Sequence, residues 1–247
     1  MSGHSKWSTI KRKKGAKDAA RSKVFSKLIK EIQIAVKLGG PDPDANPRLR
    51  LAIQNGKAEN LPKENVDRAI KKASGDDGTQ YEEVTYEGYA PHGVAVFVEC
   101  TTDNTTRTVA NVRSYFNKFN GSLGKNGSLE YLFDQKGIFT FRAGQMDVED
   151  LELELIDAGA EDMEIDEGFI TVTSAREDFG SIQKKLDELK IEVENAGLKR
   201  IPNTTKELGV EEFRSVMKLV DIIEDDDDIQ NVYHNIELTE ELINSME

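Results

Sequence analysis

The sequence predicts an α+β protein of three domains: an N-terminal helical domain and two α/β domains of ferredoxin-like type, one inserted in the other. Three observations predict it. Helical hydrophobic spacing and positive charge run together through residues 1–75. The hydrophobic period switches to alternation near residue 80. Residues 137–203 then hold a complete β-α-β-β-α-β order, and the helix and strand that follow need the earlier sheet as their partner.

In the first segment, Val24, Phe25, Leu28, Ile29, Ile32 and Val36 recur at helical spacing over residues 22–38. At 100° per residue, Lys23, Lys27, Lys30 and Lys37 fall on the opposite side. "GGPDPDANP" breaks the chain, with Gly39 at the helix end, Asn46 as the next N-cap and Pro47 at the first helical position. A third helix begins near Asn60 and Pro62, presents Val66, Ala69, Ile70 and Ala73, and stops at Gly75.

Beyond it, "EEVTYEGY" and "GVAVFVECTT" are a strand pair around the turn "APHG". "TTRTVANVRSYFNKFN" is a helix burying Val109, Val112, Phe116 and Phe119, and "GSLEYLF" is the next strand. From residue 137 come the strand "GIFTFRA", a helix over 147–158, strands "MEID" and "FITVT", a helix over 178–190 and the strand "IEVENAGLKR". A helix over 209–224 and the strand "IQNVYHNIEL" return to the 80–133 sheet. The domains are therefore 1–75, then 76–136 joined with 204–247, and the insert 137–203. Domain termini commonly lie close together, which permits such an insertion.

Charge divides the chain in the same way. Residues 1–75 carry 18 Lys/Arg against 7 Asp/Glu, a net of +11, whereas residues 76–247 carry 15 against 39, a net of −24; together they give −13. That asymmetry points to nucleic acid or another anionic surface as partner. The longest apolar run, "GVAVFV", is far short of the roughly 20 residues that span a bilayer, so no membrane partner is expected. The charged opening lacks the apolar core of a secretory signal, and one cysteine fits a reducing compartment, so the cytoplasm is the expected location.

Between residues 3 and 32, ten are Lys or Arg and only Asp18 and Glu31 are acidic. Such cations neutralise phosphates and release counterions, giving affinity that is largely independent of sequence. Trp7, between Lys6 and Lys11, is placed to stack on an unpaired base. The rival readings are a solvated tail, the outer face of an ordinary helix, or a mitochondrial transit peptide. No helix-turn-helix, zinc-finger or RNA-recognition signature accompanies the charge.

The other chemical residues yield no catalytic or cofactor site. Cys100 shares strand phase with Val94, Val96 and Val98 and reads as core. His4, His92 and His234 lie in a tail, a turn and a strand without metal-ligand spacing, and His234 is in phase with Val232 and Ile236. "NGSLGKNGS" lacks the phosphate-loop spacing and leads from helix to strand, so it reads as a turn. "EDDDD", residues 224–228, lacks the alternation and glycine of a calcium loop, and most of it reads as solvated charge beyond a helix end.

The opening, "NPRLRLAI", "ENLPKENVDRAIKKASG", "YEEVTYEGYAPHGVAVFVECTTDNTTRT" and "EDDDDIQNVYHNIE" closely resemble the YebC/PmpR family over essentially the whole chain. The resemblance implies three domains around a cleft and a non-enzymatic cytoplasmic regulator, with bacterial members generally assigned as DNA-binding transcriptional regulators. It also implies an alternative in translation, because relatives include a mitochondrial translational activator of cytochrome c oxidase subunit one and bacterial factors linked to ribosome stalling at proline runs. Two places depart from the usual family wording. "TDNTTRT" leaves only Arg107 to carry over where many members have a second Arg, and "QNGKAEN" has Gly56 where an Ala often precedes the Lys.

The expectation is a nucleic-acid-binding regulator of gene expression acting on DNA or, as the alternative, on ribosomal RNA as a ribosome-associated translation factor, with no cofactor or small-molecule substrate. The residues expected to contact phosphates and bases are Lys6, Trp7, Lys11, Arg12, Lys13, Lys14, Lys17, Arg21, Lys23, Lys27 and Lys30.

Overall fold

A computed structural model describes residues 18–75, 80–144 and 147–245. The chain divides into two compact units. The described residues of the first fall within Gly15–Asp77 and Gln135–Arg200, and those of the second within Gly78–Asp134 and Ile201–Glu247.

The first unit opens with helices α1 (Asp18–Gly39), α2 (Pro47–Ala58) and α3 (Lys63–Ser74). Ile32, Val36, Leu49, Ala52, Val66 and Ala69 form their common core. Full burial of a side chain such as Ile32 or Leu49, both 0% exposed, stabilises by about 1.5–3 kcal/mol. Asn46 caps α2 as its position predicts, accepting from Leu49 N–H at 3.1 Å. Its amide also donates to Ala35 O at 2.7 Å and Gly40 O at 2.9 Å, so one buried side chain closes both α1 and α2. A Cβ on Gly39 would lie 2.6 Å from that amide, and Gly40 has φ +88°, so this turn requires glycine at both places. Arg48 pairs with Glu31 at 2.8 Å, and Lys37 Nζ donates to Gly75 O at 3.1 Å, at the end of α3.

One feature of α1 departs from the sequence reading. Ile34 lies at 100° spacing within the arc of Lys27, Lys30 and Lys37, yet it is only 1% exposed. The lysine side of the helix is therefore covered at Ile34, while Leu38, one turn on, is exposed.

The same unit holds β4 (Phe133–Arg142), α5 (Val148–Asp157), β5 (Ala160–Asp166), β6 (Phe169–Ala175), α6 (Phe179–Glu188) and β7 (Val193–Pro202); β4 and β7 each run on into the second unit at one end. The strands lie in the order β5-β6-β4-β7, with β6 antiparallel to both neighbours. Phe139, Phe141, Ile170 and Val172 alternate inward to meet Leu155, Ile182 and Leu186 of the helices. Edge strand β7 meets α2 through a side chain that mimics a neighbouring strand. Asn55 donates to Ala196 O at 2.9 Å and accepts from Ala196 N–H at 3.0 Å.

The second unit is built on β1 (Glu82–Ala90), β2 (Val94–Thr102), β3 (Ser122–Leu123) and β8 (Ile229–His234), ordered β3-β1-β2-β8. Helices α4 (Thr105–Lys118) and α7 (Val210–Glu224) cover one face; the short α8 (Glu240–Asn244) packs beside them. Cys100, 2% exposed, lies in this core with Val94, Val96 and Val98, as its strand phase predicts. His234 is buried beside Val232 and Ile236 in the same way. Ala95, Phe97, Leu129, Phe133 and Tyr233 close the opposite face.

Three expectations are corrected here. "GSLEYLF" is not a strand: Glu130–Leu132 is a 3₁₀ turn, and the strand that joins the sheet is Ser122–Leu123. The cause is Glu87, 2% exposed, whose carboxylate accepts from Gly127 N–H at 2.7 Å and from Leu129 N–H, so a side chain takes the bonds a ladder would need. The buried face of α4 centres on Thr108, Val112 and Phe116, while Val109 and Phe119 are only half-buried. The helix is turned because the Thr108 hydroxyl has acceptors inside. Finally, most of the acidic run does lie beyond α7, whose last residue is Glu224, but it is not all solvated: Asp228 is 6% exposed.

Among the described residues, no helix is long and apolar enough to cross a membrane.

Candidate nucleic-acid interface

Of the eleven residues expected to touch nucleic acid, Lys6, Trp7, Lys11, Arg12, Lys13, Lys14 and Lys17 lie outside the described residues. Arg21 lies on α1. The 100° repeat brings Lys23, Lys27 and Lys30 into one narrow arc of that helix. Lys23 is exposed, Lys27 and Lys30 are half-buried, and each already takes part in a contact.

Sequence reasoning stopped at residue 30 and left out cations further along the same module. Lys57 of α2 and Lys63, Arg68, Lys71 and Lys72 of α3 are exposed. None of them makes an ion pair among the described residues. Lys71 and Lys72 sit in the last turn of α3, where a cation complements the helix dipole. The signal was present in the charge count, but without a tertiary frame nothing distinguished these lysines from an ordinary solvated helix face.

Arg107, the residue carried over from the family resemblance, belongs to an internal network instead. It donates to Asp103 at 2.8 Å and to Asp228 at 2.8 Å. The hydrogen bonds it donates to Asp228 and then to Asp103 push its pKa further up, so the guanidinium is held charged. Two carboxylates on one cation leave the cluster no attraction for a phosphate. The Thr102 and Thr108 hydroxyls reach the same Asp228 oxygen at 3.1 and 2.9 Å, and both threonines are fully buried. Alongside, Asp226 accepts from Asn111 at 3.0 Å and from Tyr115 at 2.8 Å. Burial, then that hydrogen bond, pushes the Tyr115 phenol up to about 12. Tyr86 is raised too, by burial first and then by Cys100 and Asp228. The network ties the loop after α7 to the start of α4.

His92, with φ +62° at the β1–β2 turn, has Nε2 3.1 Å from Ser215 Oγ and Nδ1 3.4 Å from Glu212. The Ser215 hydroxyl donates to Glu212 O at 2.8 Å, so its proton is directed away from the imidazole and the trio does not form an activated nucleophile. Among the described residues, no group of three or more His, Cys, Asp or Glu is placed to hold a metal ion.

Comparison with known proteins agrees with this architecture. A family model described as TACO1/YebC protein N-terminal domain matches residues 5–76, and one described as TACO1/YebC second and third domain matches residues 81–236. A probable transcriptional regulatory protein of Amoebophilus asiaticus is 56% identical over 239 residues, covering 96% of this chain and 98% of its own length. One of the same description from Geotalea uraniireducens is 49% identical with both chains covered in full. The crystal structure of a conserved hypothetical protein from Aquifex aeolicus, 44% identical, superposes with a TM-score of 0.80 over 90% of this chain and 93% of that one. With matched domains along nearly its whole length and relatives at about half identity, the chain belongs to the TACO1/YebC family.

Proposed function

We propose that this protein is a cytoplasmic, non-enzymatic regulator of gene expression that binds DNA as a transcriptional regulator. Its attraction for nucleic acid comes from the N-terminal helical module. The observation that supports the reading most is the segregation of charge, +11 over residues 1–75 against −24 over the rest. The relatives' description as probable transcriptional regulatory proteins agrees with it. An acidic body repels a polyanion, so a nucleic-acid binder of this composition needs a local source of attraction. Fields of exposed charges fade beyond about 8 Å at physiological salt, so that source has to act by contact.

Lys6, Lys11, Arg12, Lys13, Lys14, Lys17, Arg21, Lys23, Lys27 and Lys30 are assigned to phosphates and Trp7 to a base. The same reading treats residues 1–75, 76–136 with 204–247, and 137–203 as three domains, the last an insert. The test is binding across a salt series on duplex DNA and on structured RNA. The log–log slope should be roughly −0.9 per duplex phosphate contacted. Replacing Lys11, Arg12, Lys13 and Lys14 together by Ala should flatten the slope and weaken all sequences alike. Trp7→Ala should weaken single-stranded ligands by about 1–3 kcal/mol with little change in slope. Unchanged affinity and slope in the fourfold variant would remove the helical module from the function. Cross-linking in intact cells identifies the polymer: promoter DNA supports the transcriptional reading, and ribosomal RNA in its place overturns it.

A further inference from the structure

One margin of the first unit combines exposed apolar side chains with charge of a single sign. Leu153, Ile156 and Ile165 are 64%, 53% and 51% exposed, and they are half of the large hydrophobic side chains that stand exposed among the described residues. Their positions bring them to the same side. Leu151 and Leu155 of α5 face the core, so at 100° per residue Leu153 points directly away from it, with Ile156 about 60° round the helix and one turn on. Glu154 pairs with Lys185 of α6 at 3.4 Å, which marks the side of α5 that meets the neighbouring helix. Ile156 lies about 160° round from Glu154, on the side away from α6. α5 packs on β5, the edge strand of the sheet. Ile165 stands opposite Ile170 in the β5–β6 ladder, and directly paired residues share a face. Ile170 belongs to the core under the helices, so Ile165 also turns to the helix layer, at the outer edge of the sheet. Residues 147–167, which span α5 and β5, contain 11 Asp/Glu and no Lys or Arg. Glu149, Asp150, Glu152, Asp157 and Asp162 are exposed and make no ion pair among the described residues.

We propose that this margin of α5 and β5 binds a basic segment of a partner protein, whose apolar side chains seat on Leu153, Ile156 and Ile165 while its Lys and Arg side chains meet the surrounding carboxylates. Neither Leu153 nor Ile156 belongs to the domain core, so folding does not require either to be apolar. Exposed apolar side chains rimmed by charge are the mark of a protein interaction surface. Charge selects the occupant. A stretch with 11 acids and no base repels nucleic acid and repels the same stretch of a second copy, whereas a cationic segment is attracted and held. The apolar positions then set where along the margin it sits. This surface does not depend on the nucleic-acid reading above.

The test is a titration of the isotope-labelled full chain with the peptide acetyl-Lys-Leu-Lys-Ile-Arg-Leu-Lys-amide, followed by amide resonances. The amides of residues 152–157, Met163 and Ile165 should shift at up to millimolar peptide, and affinity should fall as salt rises. A peptide with Ser in place of Leu and Ile keeps the charge and should bind about tenfold more weakly, because the apolar burial is lost. Leu153→Ser combined with Ile156→Ser, both at exposed positions, should lose about as much with the original peptide. Glu149→Gln and Glu152→Gln should each weaken it about two- to fivefold, the worth of an exposed ion pair. The proposal is overturned if those amides stay unmoved, if the serine peptide binds as tightly as the apolar one, or if the double serine variant binds like the wild type. Two other occupants would also overturn it. Shifts of these amides on diluting the free chain would assign the margin to a second copy, and shifts on replacing Lys11, Arg12, Lys13 and Lys14 by Ala would assign it to the chain's own basic opening.

Discussion

Asp228→Ala removes one carboxylate that four donors share. Arg107 approaches its Oδ2 through Nη2 at 2.8 Å and Nε at 3.3 Å, and the Thr108 and Thr102 hydroxyls at 2.9 and 3.1 Å. After truncation, Thr108 keeps Asn104 O at 3.0 Å, and the fully buried Thr102 hydroxyl falls back on Thr108 Oγ1, 2.8 Å away, as the acceptor for its proton. What is lost is the set of bonds to the carboxylate, and hydrogen bonds to a charged group contribute about 1.5–3 kcal/mol. Breaking a buried ion pair typically costs about 3–5 kcal/mol. Arg107 is half-exposed and rehydrates once released, so the lower end, about 3 kcal/mol, is expected. For a chain of this length each kcal/mol moves Tm by about 2–4 °C, which predicts a drop of about 6–12 °C. Circular dichroism melting measures it, and hydrogen exchange should localise the loss to peptides from β2, α4 and the loop after α7. Asp228→Asn keeps an acceptor and should fall between the two. An alanine variant that melts with the wild type, or that loosens only elsewhere, would refute the assignment of this network as the link between that loop and α4.

Tyr115→Phe probes the neighbouring contact through pH. The phenol is raised to about 12 from an unfolded value of about 10, so its stabilisation is complete below about pH 10 and is lost as pH rises toward 12; in alkaline denaturation the Phe variant should lack that slope. Cys100→Ser places a hydroxyl among Val94, Val96 and Val98 and should cost about 1–3 kcal/mol in thermal melts, with nucleic-acid binding unchanged wherever the protein is folded. Gly56→Ala gains about 1 kcal/mol of helix propensity, while its Cβ meets Leu61 Cδ2 at 3.2 Å. That methyl is the end of a side chain able to rotate, so a neutral or slightly raised Tm is expected, and a drop of several degrees would show that Leu61 cannot give way.

Where apolar spacing carries the information, the fold was legible. The three helices of the basic module, the hairpin around "APHG", the β-α-β-β-α-β run and the core position of Cys100 all follow from period and turn chemistry. The failures share a cause. "GSLEYLF" alternates like a strand, but the Glu87 carboxylate binds its backbone, and no local pattern reveals a partner 40 residues away. Thr108 was invisible as a core residue because hydroxyls count as polar until their acceptor is known. The acidic run looked uniformly solvated because its spacing cannot say that Asp226 and Asp228 meet α4. For the candidate interface, the charge was legible as a total, whereas the choice among lysines depends on which sides of α1 and α3 are covered, as buried Ile34 shows.

Those failures point to one structural device. Asn46 closes the ends of two helices, Asn55 stands in for a strand beside β7, Glu87 holds the 127–129 loop, and Asp228 holds the start of α4. In each case a single polar side chain satisfies groups that no regular element reaches, and a buried group left unsatisfied costs more than an ordinary bond contributes. Such residues fix which loop meets which element, which apolar packing alone leaves loosely determined.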